Sequence, residues 1–275
     1  MAKPLTRPRE LNYCQSLHRL KDLCKQKKYL GQYAESITNN LQQILEKTKH
    51  AVQIGRDDFR LDRPASEFIS DKQEERLWEQ QLFLQWGKKK RSPIQGAWER
   101  LIAFQVPLFD QQKKNGWGYI DLVGVTPNGI PAIVELKKNP KSSPEGITKA
   151  SETPLRMVLE ATAYAVAIRE NWSNIKPQFE KRLKLLKIDK TIPDSLVKAK
   201  IPVVAAAPAA FWIDWFPVTD KGESVKIKEW KDFQNLLNEL SKHHYPVKFL
   251  SISGSYLAPE SLAIQPLQFP LILST

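Results

Sequence analysis

This chain has little of what most compact catalytic sites are built from. It carries two cysteines, Cys14 and Cys24, and four histidines, His18, His50, His243 and His244, in 275 residues. Neither type recurs at a metal-ligand or catalytic-triad spacing. The cysteines lie in a helical pattern ten residues apart. That is about 15 Å along a helix, beyond the reach of a disulfide, so they read as free thiols in a reducing cytoplasm. No P-loop, dinucleotide fingerprint or nucleophile elbow occurs, and there is no internal repeat. Long apolar runs are also missing. The longest, residues 201–213, is broken by Pro202 and Pro208 and is too short to span a bilayer. The first eight residues have no apolar core of a signal peptide. A cytoplasmic protein without membrane partners is expected.

Positive charge, by contrast, is plentiful. Forty-two Lys and Arg stand against thirty Asp and Glu, a net +12 with pI near 9.5. A basic balance suits a polyanionic partner, because each phosphate contact releases counterions. The apolar and charged fractions, 41% and 26%, are those of an ordinary globular protein. The length allows one large domain or two small ones.

Residues 1–60 read as helical, with Leu11, Leu17, Leu20, Leu23 and Leu30 and then Ile37, Leu41, Ile44 and Leu45 near helical spacing. Gly31 is expected to divide two helices. Two readings stand: a helical hairpin packed on the rest of the chain, or an arm that grips DNA or forms a homo-oligomer. A connector follows over residues 55–65, and helix returns over 66–86. The run Lys88-Lys89-Lys90-Arg91 is either a solvated loop or a contact to a phosphate backbone. Residues 176–200 carry eight Lys and Arg against three acids and are the first choice for a backbone-binding surface. The aromatics over residues 211–216 read chiefly as packing between layers, with base stacking as the alternative. A helix over 230–240 and a strand over 247–252 complete the reading.

The most informative stretch is GYIDLVGVTPNGIPAIVELKKNP, residues 118–140. Pro127-Asn128-Gly129 is turn chemistry between two predicted strands, so a hairpin is expected. Strand alternation puts Glu135 and Lys137 on one face. Hairpin pairing brings Asp121 beside Glu135, since side chains of paired strands approach to roughly 5 Å. Two carboxylates that close repel unless a cation lies between them, and hard cations such as Mg²⁺ favour such oxygens. The pattern points to a metal site with a lysine beside it. The loop over residues 139–153 leaves directly beside Lys137, placed to touch substrate.

Asp121 and Glu135-Leu136-Lys137, fourteen residues apart in their acids, resemble the motif of the PD-(D/E)XK nuclease superfamily, with Ile120 where the family's proline falls. The order of predicted elements is similar too: a helix over 95–102, a strand near 104–109, the hairpin, a helix over 154–170 begun by Thr153-Pro154, and a strand over 201–207. The resemblance spans about residues 93–210. It implies an α/β, restriction-endonuclease-like α-β-β-β-α-β core, with a central mixed sheet flanked by helices. The domain expectation is an N-terminal helical region, 1–75, and a nuclease-like domain, 76–275.

The resemblance further implies a Mg²⁺-dependent deoxyribonuclease, with Mn²⁺ as a substitute. Asp121, Glu135 and the Leu136 carbonyl would hold the metal, and Lys137 would stand beside the attacking water. Glu99, on the helix before the first strand, would add an outer-shell or second-metal contact. Glu79 competes for that role from a helix farther from the strand. On the helix after the hairpin, Glu160 and Tyr164 occupy the place of a Gln-x-x-x-Tyr pair found in some relatives. Glu160 then either extends the metal shell or pairs with Arg156. DNA is the expected partner, with RNA left open. The alternative is a non-catalytic nucleic-acid-binding module on the same fold.

Overall fold

The computed structural model describes residues 16, 17, 20, 30–55, 59, 61, 74–89, 91–110, 115–137, 153–213 and 224–267. It is an α/β structure built on one six-stranded mixed sheet. The strands are β1 (Arg100–Asp110), β2 (Asn115–Val125), β3 (Pro131–Leu136), β4 (Val203–Pro208), β5 (Val247–Ser255) and β6 (Ala258–Pro266), and they lie in the sheet in chain order. The β3–β4 and β4–β5 pairs are parallel; the other three are antiparallel. The helices are α1 (Leu30–Asn39), α2 (Leu41–Lys49), α3 (Glu74–Phe83, continued by a π-turn over Leu84–Lys88), α4 (Pro154–Glu170), α5 (Trp172–Leu185), α6 (Ala209–Ile213) and α7 (Ser224–Lys242). None of the described helices is long and apolar enough to cross a membrane.

Alternation along the central strands separates two apolar layers. Ile133, Val203, Ala205 and Phe249 face a large cluster with α1, α2, α4, α5 and α7. Val134, Leu136, Val204, Ala206 and Leu250 face a smaller one with Trp78, Leu82 and Phe83 of α3. β3 and β4 are buried at every position, as strands covered on both faces must be.

α4 is buried over most of its length because it is covered twice, by β3 and β4 on one side and by α2 on the other. Its start is fixed locally. Thr153 is the N-cap, its hydroxyl accepting the Arg156 N–H at 3.1 Å, and Pro154 fills the first turn. The helix expected over 154–170 is therefore observed with those bounds.

The N-terminal helices pack on this core. Ala34, Ile37, Leu41, Ile44 and Leu45 are buried in the large cluster together with sheet residues. Gly31 is the second residue of α1, the residues just before Leu30 lie outside the described ones, and a further break falls at Asn40. The sequence pattern also missed the edge strand β6, whose alternation is mostly polar. Cys14, Cys24, the loop over 139–152 and the aromatics at 215 and 216 lie outside the described residues.

Candidate active site

The β2–β3 ladder runs from Val125↔Pro131 to Leu122↔Val134 and stops there. Beyond it the two strands part. At the next position the Asp121 carboxylate, rather than a backbone carbonyl, accepts the Leu136 N–H, with Oδ2 at 2.8 Å. Asp121 thus stands at a fork in the sheet, opposite Glu135, with its carboxylate fixed by main chain. The expectation that the hairpin unites Asp121 with Glu135 and Lys137 describes what is found. The Lys137 ammonium lies 2.5 Å from Glu135 Oε1 and 3.3 Å from Glu75 Oε1.

Two helices bring further acids to the fork. α3 supplies Glu75 and Glu79, four residues apart on one helical face. Glu79 is 1% exposed. α4 supplies Glu160, whose Oε1 accepts the Tyr164 hydroxyl at 3.1 Å and whose Oε2 lies 3.8 Å from the Arg156 guanidinium. Glu160 is buried and acts electrostatically on Glu135, so it faces the site, and it also pairs with Arg156. Tyr164 is sandwiched by β2: the Trp117 ring meets it edge-on at 5.7 Å. A Cβ on Gly118, which has φ +150°, would come 2.5 Å from the Tyr164 hydroxyl. Gly118→Ala is expected to push Tyr164 off Glu160 and to lower the unfolding midpoint by about 4–8 °C. Differential scanning calorimetry checks this.

Glu99 is not part of this group. Residues 94–98 form a tight turn closed by an Ile94↔Trp98 bridge, with Gly96 at φ +74°, and β1 begins at Arg100. The helix expected over 95–102 is absent because Trp98 and Leu101, whose spacing mimics a helical face, are instead buried from a turn and a strand. Arg100 pairs with Val125, so Glu99 lies at the far end of the β1–β2 ribbon, about 13 Å along the strand from Asp121. There its carboxylate pairs with Lys190 at 2.6 Å. Glu79, from the helix farther back in the chain, holds the position expected of Glu99. Glu75 was not singled out by sequence, although its spacing from Glu79 beside the buried Trp78 and Leu82 was a readable signal.

The basic segments that the sequence singled out take definite places in the structure. The α4 crossover returns the chain to the starts of the parallel strands, so Lys190 of the basic 176–200 stretch lies by the β2–β3 turn, away from the acids. A surface concavity bounded by Pro127, Asn128, Asp189, Lys190, Thr191 and Pro193 lies at that same end. Lys176 is held by Asp194 at 2.5 Å and by Glu180 at 3.6 Å. Arg91, from the cationic run, stacks on Trp86 and donates to the carbonyls of Pro259, Glu260 and Leu262. It clamps the β5–β6 hairpin instead of standing in solvent. Phe211 and Trp212 are buried, with the Trp212 indole donating to the Ala207 and Leu250 carbonyls at 3.0 Å each. At these two positions the packing reading of the aromatics holds.

Five carboxyl groups, Glu75, Glu79, Asp121, Glu135 and Glu160, thus share a site with Lys137 and Arg156. Three of them, Glu79, Asp121 and Glu135, have raised pKa values, chiefly through burial. Burial holds the Glu135 carboxyl well above the usual range, and the neighbouring Asp121 adds to the rise. Burial does the same to Asp121, reinforced by Glu79. Glu79 is raised by burial and eased by the nearby Gln105 side chain. Tyr164 is kept protonated by burial and by Glu135.

The donor set fits a hard divalent cation. It consists of oxygen ligands with excess negative charge, and Glu135 Oε2 is buried without a hydrogen-bond partner. Among the described residues no group of three carboxylate, imidazole or thiol side chains is arranged to hold a metal ion. A cation would therefore rest on Asp121, Glu135 and a neutral oxygen such as the Leu136 carbonyl. Comparison with protein-family models, curated proteins and solved structures gave no match.

Proposed function

We propose that this chain is a Mg²⁺-dependent nuclease that hydrolyses phosphodiester bonds of DNA on a restriction-endonuclease-like, PD-(D/E)XK-type core. The observation that carries the reading is the meeting of buried Asp121 and Glu135 with half-buried Lys137 at the fork between β2 and β3. The run α3–β1–β2–β3–α4–β4, with an acid from each flanking helix aimed at that fork, supports it further. The net charge of +12 supports a polyanionic substrate.

In this reading Asp121, Glu135 and the Leu136 carbonyl would hold Mg²⁺ or Mn²⁺. The chemistry such an ion would supply is Lewis-acid polarisation of a phosphoryl oxygen and a lowered pKa for water. The rest is done by the chain. The Leu136 N–H locks Asp121 in one orientation, so little reorganisation is needed when charge develops. Lys137 places a full positive charge against Glu135, where it favours hydroxide over water and neutralises oxygens of the attacked phosphate. Tyr164 and Arg156 orient Glu160 toward Glu135. The burial of these groups keeps bulk water from screening them.

The test is incubation of the purified protein with linear, circular and branched DNA in Mg²⁺, in Mn²⁺ and in chelator. Cleavage in either metal and none in chelator is expected, and no cleavage of any substrate would sink the reading. One observation favours the alternative of a non-catalytic nucleic-acid-binding module: the Lys137 ammonium already neutralises Glu135. That alternative expects DNA binding indifferent to chelator and no turnover.

A further inference from the structure

Phe104 and Leu122 pair across β1–β2 and pack with the α3-side cluster. Two residues along, Val106 and Ile120 also pair, yet both belong to the opposite cluster. In an uninterrupted strand, residues i and i+2 share a face. The ribbon therefore turns over between these pairs, at Gln105 on β1 and Asp121 on β2. Gln105 has φ +49°, left-handed for a residue that is neither glycine nor asparagine and that sits inside a strand. Such strain persists only where surrounding structure imposes it, and it concentrates at functional sites. The Gln105 side chain also lies close enough to the buried Glu79 carboxyl to ease its ionisation, and Glu79 in turn interacts electrostatically with Asp121 and Glu135.

We propose that Gln105 is a positioning residue of this site: its left-handed backbone turns the β1–β2 ribbon so that Asp121 meets groups from both sides of the sheet, and its amide fixes Glu79 toward Asp121 and Glu135. The proposal rests on the nuclease reading for its effect on rate, but not for the contact itself. The two roles separate by substitution. Glycine accepts the left-handed backbone and removes the amide, while asparagine tolerates that backbone and keeps a shorter amide.

The full chain is compared as wild type, Gln105→Gly, Gln105→Asn, Glu79→Gln and the Glu79→Gln/Gln105→Gly double variant, for unfolding midpoint and for DNA cleavage in saturating Mg²⁺. Gln105→Gly is expected to unfold at or above the wild-type temperature while cleaving about tenfold slower or worse, with Gln105→Asn between the two. The double variant should be no slower than its slower parent, because both changes act through one contact. Gln105→Gly cleaving within about twofold of wild type would overturn the proposal, as would rate losses that multiply in the double variant. Should the wild type cleave nothing, the nuclease reading fails by itself. The stability cycle then decides alone: coupling between positions 79 and 105 upholds the contact, and strict additivity overturns it.

Discussion

Lys137→Ala is expected to lower metal-dependent cleavage by on the order of 10²–10⁴-fold, a loss of about 2.7–5.5 kcal/mol in transition-state stabilisation. The size follows from position. The ammonium lies between the Glu135 and Glu75 carboxylates and is itself largely buried, so little solvent screens its field. Arginine should not rescue it fully, because a planar fork cannot reproduce a compact point charge in the same space. Asp121→Asn should cost a similar factor for a different reason. The amide oxygen can still accept the Leu136 N–H, but the charge that would hold a cation is gone. Single-turnover rates at saturating DNA check both, and a Lys137→Ala variant cleaving within about threefold of wild type would remove lysine from the chemistry.

The second large effect is on stability, and it needs no substrate. Glu79, Asp121 and Glu135 are all raised above the ordinary carboxyl range in the folded chain, chiefly by burial. Between that ordinary range and their raised values, the native state holds more protons than the unfolded state. Stability must then fall as pH rises through this window. In chelator, the unfolding midpoint is expected to drop by on the order of 5 °C between about pH 5 and about pH 8. A divalent cation acts in the opposite sense, because it binds the ionised carboxylates. At a hundred times its dissociation constant it contributes about 2.7 kcal/mol, so Mg²⁺ should raise the midpoint at the higher pH by about 5–10 °C and hardly at the lower. The Asp121→Asn/Glu135→Gln double variant should show a flatter pH profile and no response to Mg²⁺. A wild-type midpoint that rises with pH in chelator would contradict the assigned acidities.

Much of the central architecture was legible because its signals are local. Thr153-Pro154 is a cap followed by a first-turn proline, and it marks the start of α4 to the residue. Pro127-Asn128-Gly129 marks the β2–β3 turn, where Gly129 takes φ +71°. The alternation in Ile133-Val134-Glu135-Leu136 gives the face of Glu135 directly. What sequence missed depends on contacts distant along the chain. Glu99 looked helical because Trp98 and Leu101 are spaced like a helical face, whereas Gly96 and the Ile94↔Trp98 bridge make a turn there. Arg91 read as part of a solvated loop or of a phosphate contact because nothing near it announces the β5–β6 carbonyls that it clamps, about 170 residues away. Gln105 carries no local signal at all: nothing in the neighbouring residues announces a left-handed backbone inside β1.

The central claim is that Asp121 and Glu135 together hold a divalent ion at the fork of the sheet. Titration of Mn²⁺ into the protein, followed by the electron paramagnetic resonance signal of the free ion, tests it without recourse to any nucleic acid. Saturable loss of that signal with wild type, reversed by excess Mg²⁺ and abolished in both Asp121→Asn and Glu135→Gln, is the expected result. Uptake unchanged in those two variants, or no uptake by a wild type shown to be folded, would contradict the claim.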